Sequence, residues 1–137
     1  MVSLANDQET AFVKMMLIGE SGAGKTGALA ALAAAGYRLR ILDLENKLDV
    51  LYNYLTDRGS RYGNHTANVD YITISEKMQV LNGRMVPVNA DVWPRMVRSL
   101  EKWDDGSIPS DWGQDTILVL DSLSAAADAA FFFVQKA

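Results

Sequence analysis

Gly19-Glu20-Ser21-Gly22-Ala23-Gly24-Lys25-Thr26 fits the spacing G-x-x-x-x-G-K-[ST] at every fixed position. Each fixed residue type answers a physical need. Gly22 and Gly24 let the backbone turn its N–H groups inward, including at positive φ, where a Cβ would clash. Those N–H groups and the positive end of the following helix form a cradle for a polyphosphate. Lys25 can place a point charge on the β- and γ-phosphate oxygens, and the Thr26 hydroxyl can ligate Mg²⁺. Val13–Ile18 reads as a buried strand ahead of the loop, and Gly27–Ala35 as an alanine-rich helix after it. Strand, loop and helix is the arrangement this chemistry requires, so the stretch predicts a site for a nucleoside triphosphate.

Working outward, residues 1–10 are polar and read as a flexible lead-in, and residues 11–137 as one domain. The first strand is expected over about Phe12–Ile18, and Gly36 caps the helix that follows the loop. Arg38–Leu44 predicts a second strand with Asp43 near its carboxyl end. Asn46 or Lys47 then opens a helix to about Tyr54, with Leu48, Leu51, Tyr52 and Leu55 at helical spacing. Residues 56–68 read as a surface loop carrying His65, the sole histidine, and Val69–Ile74 as a third strand. Asn82-Gly83 between Met78–Leu81 and Arg84–Val88 predicts an inserted β-hairpin near 78–88. Asn89–Trp103 reads as an amphipathic helix with Asn89 as its N-cap and Trp93 on its apolar face. Thr116–Leu120 is a short apolar run suited to a central parallel strand, and Ser122–Lys136 reads as a final helix. Alternating strands and helices predict an α/β fold: a mainly parallel sheet covered on both faces.

Composition narrows the functions open to such a fold. Net charge is −4, so no overall basic field draws the chain to nucleic acid or anionic lipid. Cysteine is absent, which removes disulfides, thiolate metal sites and a cysteine nucleophile. One histidine in a polar loop offers neither a histidine metal cluster nor a Ser-His-Asp triad. No apolar run approaches the ~20 residues of a membrane helix, so a cytoplasmic location and no membrane partner are expected.

Two carboxylates complete the expected site. Ile117-Leu118-Val119-Leu120-Asp121-Ser122 has the Walker B form, a hydrophobic strand ending in aspartate. A rigid strand tip can hold a carboxylate beside the phosphate loop, where it supports the Mg²⁺ shell. Ile41-Leu42-Asp43-Leu44-Glu45 places a second acid just past the second strand, within reach of a γ-phosphate. The alternative roles are structural: Asp121 capping the next helix, and Glu45 as a solvated helix-start residue favouring the helix dipole.

With these pieces the sequence resembles the RecA family of P-loop ATPases, whose glycine-rich loop, Asp-x-Glu segment and Asp-Ser Walker B end match Gly19–Thr26, Asp43–Glu45 and Asp121-Ser122. Compact RecA-like, AAA-type ATP-binding proteins encoded by bacteriophages are the closest likeness, over roughly Lys14–Asp128. The resemblance implies a RecA-like three-layer αβα fold. It implies ATP and Mg²⁺ as ligands, with Gly19, Glu20, Ser21, Gly22, Ala23, Gly24, Lys25, Thr26 and Gly27 around the nucleotide. Thr26 and Asp121 would serve the metal, and Glu45 and Lys25 would be the catalytic residues. It also implies a DNA recombination or replication setting, with single-stranded DNA reached through a longer protein or partner, and a homo-oligomer. Gly27 departs from the hydroxyl residue often found after the loop. A RecA-type core continues past the Walker B helix, so a domain incomplete at its C-terminal end is expected, with Phe131–Phe133 partly exposed. Two other functions stay open from the residues: a nucleotide-holding module without turnover, and a small-molecule phosphotransferase.

Overall fold

Arg38–Asp43 reads Arg-Leu-Arg-Ile-Leu-Asp, and its alternate side chains point to opposite faces of a sheet. Leu39 and Ile41 face one side, Arg40 and Leu42 the other, and all four are buried. A strand buried on both faces must lie inside a sheet covered by two layers, and it does. The computed structural model describes residues 14–19, 24–56 and 63–136. In chain order these form α1 (Lys25–Ala34), β1 (Arg38–Asp43), α2 (Asp49–Thr56), β2 (Val69–Thr73), β3 (Met78–Leu81), β4 (Arg84–Pro87), α3 (Val92–Glu101), β5 (Thr116–Asp121) and α4 (Leu123–Lys136). Single 3-10 turns occur at Thr66–Asn68 and Pro109–Asp111. The parallel sheet has the order β2-β1-β5.

Two apolar clusters, one per face, hold the layers together. Ala30 and Ala33 of α1, and Leu51 and Leu55 of α2, pack on Leu39 and Ile41, with Val69, Ile117 and Val119 at the margin. On the other face Leu42 and Leu44 meet Val92 and Met96 of α3, Ala126 and Ala129 of α4, Ile74 and Trp103. Burying one such Leu or Ile contributes about 1.5–3 kcal/mol. Alanine on α1 and α4 lets each helix approach closely. Arg40 is the polar exception in β1. Its Nη1 donates to Asp105 Oδ2 at 2.7 Å and its guanidinium lies 4.6 Å from the Trp112 ring centroid. The ion pair and the aromatic face offset part of the cost of burying that charge.

Several boundaries differ from the sequence expectation, each for a local reason. The first strand, expected over Phe12–Ile18, is absent where the chain is described. Residues 14–18 carry no strand pairing, and Met15, Met16, Leu17 and Ile18 are exposed. Phe12 and Val13 lie outside the described residues. A short apolar run specifies a strand only when a neighbour accepts its backbone hydrogen bonds, and among the described residues none does. The helix expected from Asn46 or Lys47 starts at Asp49, and Asn46 itself adopts a left-handed φ of 54° that a helix does not admit. The helix expected from Asn89 starts at Val92 with Asp91 as N-cap. Ala90, buried and at φ 50°, breaks the helical path before it. Pro94 therefore falls in the first turn, where its missing N–H costs nothing.

The hairpin forms as expected. Asn82 and Gly83 both take positive φ, 51° and 74°, as the two-residue turn between β3 and β4 requires. All four β3 residues are exposed, and the hairpin is a sheet of its own. Phe131 and Phe133 are exposed on α4, also as expected.

These differences in burial give a stability prediction. Ile41→Ala should lower the unfolding free energy by about 2–5 kcal/mol in urea titrations. Val80→Ala, on the exposed hairpin, should change it by less than about 0.5 kcal/mol.

Candidate functional site

Parallel strands deliver their carboxyl ends to one edge of a sheet, where loops gather and ligands characteristically bind. Here the register places Thr73 of β2, Asp43 of β1 and Asp121 of β5 side by side. All three follow the alternation of Leu39 and Ile41, so they point toward the α1 face. At that same end Gly24 takes φ 90° and opens α1. A left-handed N-cap suits glycine, since any Cβ there is strained even where space is open.

The sequence-derived site residues divide into three groups. Glu20, Ser21, Gly22 and Ala23 lie outside the described residues. Gly19 and Gly24–Gly27 are described: Gly24 caps α1, and Lys25, Thr26 and Gly27 form its first turn. The Lys25 ammonium donates to the Gly19 carbonyl, so it reaches back across the loop. Asp121 ends β5, and Glu45 lies just past the end of β1, near enough to act on the Asp121 carboxyl. Glu45 and Lys25 each act on that carboxyl, the first raising and the second lowering its pKa, and the Glu45 carboxylate is bonded to Ser122, the residue after Asp121. No hydrogen bond or ion pair joins Thr26 to either acid among the described residues.

Four residues without a sequence-assigned role shape this geometry: Asp43, Thr73, Ser122 and Lys47. Asp43 is 1 % exposed. Its Oδ1 accepts the Asn46 N–H at 2.8 Å and the Glu45 N–H at 3.2 Å, and its Oδ2 accepts the Thr73 hydroxyl at 3.1 Å. Ser122 Oγ donates to Glu45 Oε1 at 2.5 Å and accepts the Ala125 N–H at 3.3 Å, which caps α4. Lys47 Nζ lies 3.8 Å from Glu45 Oε2. Asp43 was signalled by its place near the end of an expected strand and in the Asp-x-Glu segment, whereas the sequence reading singled out nothing for Thr73.

The site is rich in negative charge. Asp121 titrates above the ordinary carboxylate range, first because it is partly buried, then because Glu45 and Asp43 repel its anion. Lys25 and then Lys47 offset this in part. Among the described residues no three acidic, histidine or cysteine side chains converge closely enough to hold a metal ion alone. A cation here would take one or two carboxylates and complete its shell with water and phosphate oxygens. That is the usual manner of Mg²⁺, and the donors present fit it.

Comparison of the chain with protein-family models, curated proteins and solved structures returns no match. Among the described residues no helix is long and apolar enough to cross a membrane.

The raised Asp121 carboxyl has a sign that can be checked. Because folding favours its protonated form, stability from this group is full in acid and is lost as pH rises through its folded pKa. Asp121→Asn removes the loss. The variant should melt a few degrees above the parent at pH 7 in thermal scans, and the gap should close below the ordinary aspartate range.

Proposed function

We propose that the chain is a RecA-like P-loop protein that binds a nucleoside triphosphate with Mg²⁺ at the carboxyl edge of its sheet and hydrolyses it. The observation that supports this most is the Glu45 carboxylate bonded to Ser122 beside Asp121, with Lys25 from the glycine-rich loop near enough to act on the Asp121 carboxyl. Sequence spacing alone does not require these residues to lie near one another; their proximity beside a phosphate-loop motif favours this site over an unrelated surface cluster.

The residues take distinct tasks in this reading. The N–H groups at the start of α1 and the Lys25 ammonium hold the β- and γ-phosphates, with Lys25 exchanging the Gly19 carbonyl for phosphate oxygen. Mg²⁺ would neutralise charge on the phosphate oxygens, held by Thr26 and by Asp121 directly or through water. Asp121 is suited to that task because its neighbours already disfavour its anion, and a nearby cation relieves the repulsion. Glu45 is one-third exposed on its side chain, so it can face a water molecule at the γ-phosphate. As a general base it accepts a proton from that water as oxygen attacks phosphorus and the β–γ bridging bond breaks. Adenine preference, single-stranded DNA and self-assembly enter this reading through the RecA resemblance alone.

The test separates binding from turnover. Lys25→Ala should weaken binding of a fluorescent ATP analogue roughly 10- to 100-fold, the scale of one charge-assisted bond. Glu45→Gln should leave that affinity within a factor of about two yet lower steady-state phosphate release by roughly 10²- to 10⁴-fold. Binding that survives Lys25→Ala would reject the site. Tight binding with no release in the parent chain would favour a nucleotide-holding module, and phosphate transfer to an alcohol in place of water would favour a phosphotransferase.

A further inference from the structure

Up to Leu44 the segment that carries Glu45 is held by backbone hydrogen bonds: the Leu44 N–H donates to the Asp121 carbonyl at 2.7 Å and the Asp43 carbonyl accepts the Ile74 N–H at 3.0 Å. Among the described hydrogen bonds, the Glu45 and Asn46 N–H groups both point at one buried carboxylate oxygen, Asp43 Oδ1. The other oxygen of that carboxylate is taken by Thr73, thirty residues further along the chain and on a different strand. Asp43 is almost fully buried and both its oxygens are engaged, so it is poorly placed to touch a ligand. Its work is turned inward, toward the segment that presents Glu45.

We propose that Thr73 and Asp43 form a positioning pair that sets the place of the Glu45 carboxylate. This rests on the reading of Glu45 as the water-orienting acid. A free carboxylate can rotate about its Cβ–Cγ bond, and the Thr73 hydroxyl fixes that rotation by holding Oδ2. Oδ1 then faces the chain two and three residues on, and the turn closes over it in the manner of an Asx turn. Asn46 can follow because asparagine tolerates the left-handed region it occupies. Glu45 leaves the turn in one direction and is met there by Ser122, just past the end of β5. The carboxylate is therefore framed by all three strands of the sheet: Asp43 on β1, Thr73 on β2, and the residue after β5. Loss of the hydroxyl frees the Asp43 carboxylate to turn and the Glu45 segment to drift, while the phosphate loop on α1 is untouched. A misplacement of about 1 Å at a reacting group can cost on the order of a hundredfold in rate.

Thr73→Val keeps the β-branched shape and removes only the hydroxyl, whereas Thr73→Ser keeps the hydroxyl. Amide hydrogen exchange of the nucleotide-free protein is the first readout. Thr73→Val should speed exchange at Glu45 and Asn46 by roughly fivefold or more, the loss of about 1 kcal/mol of hydrogen bonding. The Ile41 amide should not change, and Thr73→Ser should restore the parent rates. Unchanged exchange at Glu45 and Asn46, or equal acceleration along all of β1, overturns the pairing. The second readout is turnover. Thr73→Val should lower kcat roughly tenfold with nucleotide affinity within about twofold, and should have no further effect in a Glu45→Gln background. An equal drop in both backgrounds shows that Thr73 does not act through Glu45 and overturns the proposal. If Glu45→Gln itself turns over like the parent, the catalytic reading of Glu45 fails and the positioning role falls with it. The exchange data then still report whether Thr73 holds the turn.

Discussion

Strand β1 is hydrogen-bonded along both edges, and its parallel register with β2 and β5 fixes which residues become neighbours at the sheet's carboxyl end. Thr73, Asp43 and Asp121 are aligned by that register before any side chain acts. A slip of one residue would turn each of them to the opposite face. The apolar packing of Leu39 and Ile41 against α1 and α2, with Leu42 against α3 and α4, makes such a slip costly. Burial of the strand on both faces and placement of the polar tip are thus one constraint.

The same arrangement explains the uneven electrostatics of the strand ends. Asp43 is buried but satisfied by three donors, whereas Asp121 is partly buried and faces two other acids. Solvating the first from within and leaving the second under repulsion gives two aspartates in adjacent register positions different work. One shapes the turn. The other carries an anion that its neighbours disfavour.

Much of this was legible in the sequence. The apolar residues of Arg38–Leu44 and the short continuous apolar run Thr116–Leu120, β-branched at its start, announced strands. Asn82-Gly83 announced its hairpin because few other residues accept two successive positive φ values. Glu45 and Asp121 were legible as a pair because each follows such a strand. Residues 14–18 misled for the opposite reason: apolar content is a local property, but a strand is a pairing, and its partner is not written in the run itself. Asn46 and Ala90 moved helix starts by left-handed backbone conformations, which asparagine tolerates but does not require and which alanine gives no sign of. The contacts of Asp43 with Thr73 and of Glu45 with Ser122 span 30 and 77 residues, and only the sheet register brings them together.

The account turns on whether a metal–nucleotide complex occupies the carboxyl edge of β1 and β5. Paramagnetic broadening by Mn²⁺–ATP in an amide NMR spectrum measures this directly. The account predicts broadening centred on Thr26, Glu45 and Asp121, fading along β1 toward Arg38, and reversed by excess Mg²⁺–ATP. Broadening centred elsewhere, or none at concentrations where nucleotide binds, would contradict it.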